Sequence, residues 1–200
     1  MPEPLLGIVL AAGAGRRMGG PKALCRTPAG VPWLHLAVDA LVGGGCDRVR
    51  VVLGAGADEA RALVPERAEV VVAHDWARGM GASLAAGLAT TPADRAGGRP
   101  GPHPGPEGPV AAVVTLVDLP ELDARAVARV TARPVGPGDL RRAVFGTRPG
   151  HPVLVGRDHW APLLPHLHGD AGARGYLRDH PPVPVDCSDL PGGLDHDTPR

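Results

Sequence analysis

The chain has 200 residues, 44% of them hydrophobic, which suits one domain over residues 1–200 with a sizeable core. Its 21 basic and 21 acidic residues balance to a formal net charge of zero, which argues against a nucleic-acid binder or a membrane-surface protein. Because no apolar run approaches the length of a membrane span and the first residues lack a basic leader, we expect a soluble, cytoplasmic protein.

Short apolar segments alternate with amphipathic segments along the chain. This pattern predicts strands at 5–10, 49–53, 70–73, 110–117, 142–145 and 152–155. It predicts helices at 33–42, 58–63 (with Asp58 as N-cap), 79–89, 121–132, 158–164 and 171–179. The predicted fold class is α/β, a three-layer α/β/α Rossmann-like fold with a mainly parallel sheet. The proline- and glycine-rich segment 92–109 is predicted to be a disordered surface loop.

The first predicted strand runs into a glycine-rich loop, LAAGAGRRMGGPK at 10–22, which carries three cations. Such a turn offers backbone amides to an anion, and Arg16, Arg17 and Lys22 add positive charge, so the loop predicts a polyphosphate site. Lys22 is the only lysine in the sequence, which suggests a position that needs a compact ammonium rather than a planar guanidinium. The alternative is a glycine turn with solvated arginines.

Two common phosphate-binding motifs do not fit this loop. A Walker A loop needs GxxxxGK[ST], but a proline precedes Lys22 and an alanine follows it. A dinucleotide fingerprint needs GxGxxG, whereas the glycines here are spaced one residue too far apart and no acidic residue follows the second predicted strand. The sequence therefore disfavours a nicotinamide dinucleotide.

Five further segments follow the loop in the chain. They are WARGMGASLAAGL at 76–88, DLP at 118–120, GHPVL at 150–154, GDAGAR at 169–174 and DHDTP at 195–199. Together with the loop, they resemble the motifs of the molybdenum cofactor cytidylyltransferases, a branch of the MobA-like NTP transferase superfamily. The resemblance covers most of the chain and implies a glycosyltransferase-A-like form of the predicted fold.

The resemblance implies that CMP is transferred from CTP to the terminal phosphate of the molybdopterin cofactor, with release of pyrophosphate and with Mg²⁺ as the metal. It also implies a protein partner, either a molybdoenzyme or its chaperone. Guanylyl transfer to the same cofactor stays open because only Ala12 favours cytidine, and so does nucleotidyl transfer to another phosphorylated metabolite. Two other classes also stay open: an NAD(P)H-dependent oxidoreductase and a non-catalytic relative that holds the cofactor.

The matching motif positions imply a role for each candidate residue. The implied catalytic residues are Arg17, Lys22 and Asp118. The implied nucleotide-binding residues are Leu10, Ala11, Ala12, Gly13, Ala14, Gly15, Arg16, Lys22 and Ser83. The implied metal ligands are Asp118, Asp195 and Asp197, and the implied acceptor-binding residues are His151, Asp170 and Arg174. The alternatives are helix capping for Asp118 and Ser83, and solvated acids for the two late aspartates.

Overall fold

The computed structural model describes residues 3–89 and 108–194, and within them seven strands form one sheet. Apart from its last two residues, the loop predicted at 92–109 lies outside the described residues. The strand bounds are β1 (Leu5–Ala11), β2 (Arg48–Leu53), β3 (Ala68–Val72), β4 (Ala111–Leu116), β5 (Leu140–Phe145), β6 (Arg148–Gly156) and β7 (Val183–Asp186). Their order across the sheet is β3-β2-β1-β4-β6-β5-β7.

The sheet is mainly parallel, which confirms the predicted fold class. β1 pairs in parallel with β2 and β4, β2 with β3, and β5 with β7. The last third of the chain differs from simple alternation, because β6 runs antiparallel to both β4 and β5. β5 and β6 form a hairpin whose turn contains Gly146 at a φ of 64°. β7 was not predicted, since VPVD contains a proline and lies in a partly exposed segment with no apolar run.

Helices cover both faces of the sheet and form the outer two layers. Their bounds are α1 (Trp33–Gly43), α2 (Ala57–Arg61), α3 (Met80–Leu88), α4 (Ala124–Val130), α5 (Trp160–Leu163) and α6 (Arg174–Asp179). One core lies under α1 and α4, and the other lies under α3, α5 and α6. The prediction that Asp58 caps α2 was wrong, because Gly56 is the N-cap and Asp58 lies within the helix. No helix among the described residues could cross a bilayer.

Alternate side chains of the central strands supply these two cores. In β1, Leu5 and Val9 point to one face, whereas Leu6 and Ile8 point to the other. A strand buried on both faces needs a continuous apolar sequence, which is why LLGIVL predicts β1. Gly87 lets α3 lie close to the sheet, since a Cβ there would be 3.0 Å from side-chain atoms of Ile8. This close packing places the start of α3 beside the carboxyl end of β1.

A buried arginine ties the far end of α3 to the sheet. Arg50 on β2 is 0% exposed, and its Nη1 donates to the carbonyl oxygens of Gly87, at 2.7 Å, and Ala89, at 3.0 Å. Its Nε donates to the Glu69 carboxylate at 3.1 Å. These bonds satisfy two carbonyl groups that the end of a helix leaves without partners in the helix itself.

Candidate active site

The glycine-rich loop leaves β1 and folds back on itself. The carbonyl oxygen of Gly15 accepts hydrogen bonds from the amides of Met18, at 2.8 Å, and Gly20, at 3.3 Å. Gly15 has a φ of 57°, and a Cβ at this position would overlap the carbonyl oxygen of Gly20. The loop thus needs glycine at position 15 for two reasons, the left-handed backbone and the close approach of the chain.

We expect Gly15→Ala to weaken nucleotide binding by at least about ten-fold, because the strained loop can no longer hold its amides in place. Gly20→Ala is the matched control, since Gly20 has no positive φ and a Cβ there would meet nothing within 4 Å. The measurement is the Kd for CTP with Mg²⁺ by calorimetry. Equal affinities for the two variants would show that the conformation of Gly15 does not matter for binding.

A cavity of about 460 Å³ lies at the carboxyl ends of β1 and β4. Ligands of open α/β sheets bind at this edge. The cavity is bounded by the glycine-rich loop, the segment after β4 and the start of α3. Its lining residues are Leu10, Ala11, Ala12, Gly13, Ala14, Gly15, Arg16, Arg17, Lys22, Trp76, Ala77, Gly79, Met80, Ser83, Leu116, Val117, Asp118 and Asp170.

An ion pair in the wall of the cavity joins the end of the glycine-rich loop to the segment after β4. Lys22 Nζ donates to Asp118 Oδ2 at 2.7 Å, and the side chains are only 16% and 15% exposed. Lys22 begins a short 3-10 turn after the loop, and Asp118 follows β4 by two residues. Burial raises the pKa of the neighbouring Cys25 thiol, and the positive charge of Lys22 opposes that rise. Asp118 does not cap α4, because Asp123 is its N-cap.

The second oxygen of Asp118 fits a hard cation. Asp118 Oδ1 is buried and has no hydrogen-bond partner among the residues of 3–89 and 108–194. A buried carboxylate oxygen without a partner is costly, whereas Mg²⁺ binds to one or two carboxylates together with substrate phosphates. The described ranges contain no cluster of three or more histidine, cysteine or acidic side chains that could hold a metal without such phosphates.

The start of α3 forms the opposite wall. Ser83 is 5% exposed and is the fourth residue of the helix, whose N-cap is Gly79, so the capping role considered for this serine is excluded. Gly79 and Gly81 let the segment 167–170 pack against the helix, because a Cβ at either position would overlap its backbone. This contact brings Asp170 into the lining of the cavity.

The structure describes two further predicted site residues, His151 and Arg174, outside the lining of the cavity. His151 lies on β6 with its Nδ1 3.2 Å from the carbonyl oxygen of Val114, and Arg174 is the exposed first residue of α6. Neither belongs to the lining of this cavity within the described part of the chain. Asp195 and Asp197 lie outside the described residues. Nearby, a Cβ on Gly192 would be 2.6 Å from Leu122 Cα, so the last described residues pass beside the segment that follows Asp118.

Sequence reasoning assigned no role to several residues that line the cavity. Trp76 lies beside the end of β2, where a Cβ on Gly54 would be 2.6 Å from Trp76 Cβ. Met80 and Leu116 also contribute to the wall. Trp76 and Met80 lie within the segment 76–88, one of those that carry the family resemblance, and this position could have marked them as cavity residues. Leu116 had no signal beyond its place at the end of a strand.

Comparisons with known proteins match most of the chain to one family. The family model of the MobA-like NTP transferase domain matches residues 7–183. The nicotine blue oxidoreductase of Paenarthrobacter nicotinovorans is 37% identical over 205 residues, which cover 96% of this chain and 91% of that protein. The crystal structure of Rv0371c from Mycobacterium tuberculosis H37Rv has a TM-score of 0.76 at 28% identity, covering 99% of this chain and 94% of the other. A manganese complex of Rv0371c has a TM-score of 0.66 at 26% identity, with 96% and 94% coverage.

Proposed function

The chain belongs to the MobA-like NTP transferase family of nucleotidyltransferases, and from that premise we propose that it transfers CMP from CTP to the terminal phosphate of the molybdopterin cofactor. One observation carries the proposal: the glycine-rich loop, Lys22 and Asp118 line the same cavity at the carboxyl ends of β1 and β4. Backbone amides, a partly buried ammonium and a carboxylate with an unpartnered oxygen are the groups that a metal-bound nucleoside triphosphate requires.

The proposed reaction is an in-line displacement. An oxygen of the acceptor phosphate attacks the α-phosphorus of CTP, the bond from that phosphorus to the bridging oxygen breaks, and pyrophosphate leaves. Such reactions depend mainly on positioning and on neutralising charge. The amides of 13–15 with Arg16 and Arg17 hold the triphosphate, and Lys22 stabilises the negative charge that develops on pyrophosphate. Ser83, across the cavity, contributes to nucleotide binding.

Asp118 is the proposed Mg²⁺ ligand in this site. Because Lys22 occupies Oδ2, Oδ1 is the oxygen that remains for the cation. When bound, Mg²⁺ would neutralise phosphate charge in the ground state and in the transition state. We propose that Asp195 or Asp197 supplies a second carboxylate, which is supported by the path of the chain from Gly192 beside Leu122.

The acceptor is proposed to bind beyond Asp118, toward β6 and α6. Asp170 stands in the cavity wall, and His151 and Arg174 lie on elements farther along the sheet. The choice of CTP over GTP rests on the methyl group of Ala12, and one methyl group discriminates by only about 1–3 kcal/mol. The product is proposed to pass to a molybdoenzyme or its chaperone.

Thermal unfolding with single nucleotides tests the proposal. CTP with Mg²⁺ at about 100 times its Kd should stabilise the protein by about 2.7 kcal/mol, and GTP, ATP and UTP should stabilise it less. Asp118→Asn should lose the Mg²⁺-dependent part of this shift. Asp158→Asn, which changes an exposed carboxylate outside the cavity, should keep it. A protein that none of the four nucleotides stabilises would refute nucleotidyl transfer.

An NAD(P)H-dependent oxidoreductase is the second candidate, because a relative with 37% identity is named nicotine blue oxidoreductase. The spacing of the loop and the glycine at the end of β2, where a ribose-binding acid would stand, disfavour it. The same thermal-unfolding measurement with NADPH, without a nucleoside triphosphate, tests this candidate. Stabilisation by NADPH and not by CTP would replace the first candidate with the second.

A further inference from the structure

Arg142 on β5 presents an unused cationic group beside the candidate acceptor region. Leu140, two residues earlier and therefore on the same face of the strand, belongs to the core under α3, α5 and α6. The half-buried Arg142 side chain is held by its Nε, which donates to the carbonyl oxygen of Gly150 at 3.0 Å. Within the described residues, the two terminal nitrogens of this guanidinium have no acceptor.

No carboxylate neutralises this charge within the described ranges, and the same is true of Arg174. The two arginines lie over the same layer of the fold, because Leu140, on the face of β5 that carries Arg142, and Tyr176, on the helix that begins at Arg174, belong to one core. Burial lowers the pKa of the Arg142 guanidinium, and the positive charge of Arg174 lowers it further. Eight other arginines of the described ranges form ion pairs: Arg48, Arg50, Arg67, Arg78, Arg125, Arg129, Arg141 and Arg178.

This cationic pair lies at the same edge of the sheet as the cavity but away from Asp118. β5 is two strands from β4, which corresponds to about 10 Å across the sheet. His151 occupies the strand between them, with its ring against the backbone of β4. Arg174 follows Asp170, a residue of the cavity wall, by four positions. A ligand that extends from Asp118 past His151 would reach both arginines.

We propose that Arg142 and Arg174 bind an anionic group of the acceptor other than the phosphate that reacts. An oxyanion between them would relieve the repulsion of two close cations, and a guanidinium with free terminal nitrogens can bind it in a bidentate way. The substrate class is thus a molecule with a terminal phosphate and a second oxyanion at least about 10 Å away, the width of two strand spacings. The identity of the acceptor in this inference rests on the proposed function. The presence of an anion site at the two arginines does not depend on it.

Inorganic phosphate is the probe for the anion site. A Lys22→Met background weakens phosphate binding at the glycine-rich loop, and thermal unfolding is followed in phosphate at constant ionic strength. We expect phosphate to stabilise this background. Adding Arg142→Met or Arg174→Met should raise the phosphate Kd by about ten-fold, the loss of one charged interaction of about 1.4 kcal/mol. Arg178→Met is the matched control, because Arg178 lies on α6 beside Arg174, pairs with Asp179 and should leave the Kd unchanged.

Two further measurements separate the anion site from the proposed function. In the otherwise unchanged enzyme, Arg142→Met should raise the KM for the molybdopterin acceptor about ten-fold and leave the KM for CTP unchanged. Arg142→Lys keeps the positive charge but loses the planar guanidinium, so its KM for the acceptor should lie between those of the unchanged enzyme and of Arg142→Met. This variant replaces Arg142→Met in the test if the methionine variant does not fold. Phosphate stabilisation that is independent of Arg142 and Arg174 overturns the anion site, whatever CTP does. If phosphate stabilises the protein only when both arginines are present, and CTP does not stabilise it, the anion site is supported and the proposed function is refuted.

Discussion

Replacing Lys22 by methionine is expected to lower kcat for nucleotidyl transfer by about 10²–10³-fold, the range seen when one preorganised donor to a developing negative charge is removed. Lys22 forms an ion pair with Asp118 at 2.7 Å, and its side chain is only 16% exposed. A charge in such a partly dry site interacts with phosphates more strongly than a charge in water. The measurement is pyrophosphate release with CTP, Mg²⁺ and the acceptor at saturation.

Two controls separate the charge of Lys22 from its effect on folding. Arg26→Met removes a nearby exposed cation that bonds to the carbonyl oxygen of Gly30 and lies outside the cavity lining, so it should keep full activity. Lys22→Arg keeps the charge but replaces the compact ammonium with a larger planar group beside Asp118, and it should recover only part of kcat. If Lys22→Met turned over as fast as the unchanged enzyme, the role assigned to this lysine would be wrong.

Replacing Arg50 by methionine is expected to lower the free energy of unfolding by about 3 kcal/mol, because it removes a buried guanidinium that pairs with the partly exposed Glu69 and leaves helix-end carbonyls without donors. For a chain of this size, that loss corresponds to a fall in Tm of roughly 6–12 °C. The guanidinium is completely buried and bonds to Glu69 and to two carbonyl oxygens at the end of α3. Equilibrium unfolding in urea measures the change.

Arg48→Met is the matched control for this prediction. Arg48 lies on the same strand and contacts the same carboxylate of Glu69 at 3.4 Å, but its side chain is 30% exposed. A partly exposed ion pair contributes about 0–1 kcal/mol, so this variant should be only slightly less stable than the unchanged protein. Equal losses for Arg48→Met and Arg50→Met would show that burial does not set the contribution of these arginines. Below its Tm, Arg50→Met should bind CTP normally, since the bonds are at the far end of α3 from the cavity.

The sequence by itself determined the central elements and the place of the candidate site. β1, β2 and β4 are buried on both faces, so their sequences are mainly apolar, with Arg50 and Thr115 as buried exceptions, and their positions are evident without neighbours. The glycine-rich loop was recognisable for the same local reason, since a left-handed backbone and close chain approach require glycine at position 15. The order of strands and helices then placed the loop at the carboxyl edge of the sheet.

The tertiary structure alone decided which distant residues meet. The antiparallel course of β6 and the partly exposed β7 depend on pairing between strands, which leaves little trace in short sequences with prolines and few apolar residues. Lys22 and Asp118 are 96 positions apart, and Arg142 and Arg174 lie on β5 and α6, two elements separated in sequence by β6 and α5. Contacts of this kind arise from the closing of long loops, so no local pattern of residues encodes them.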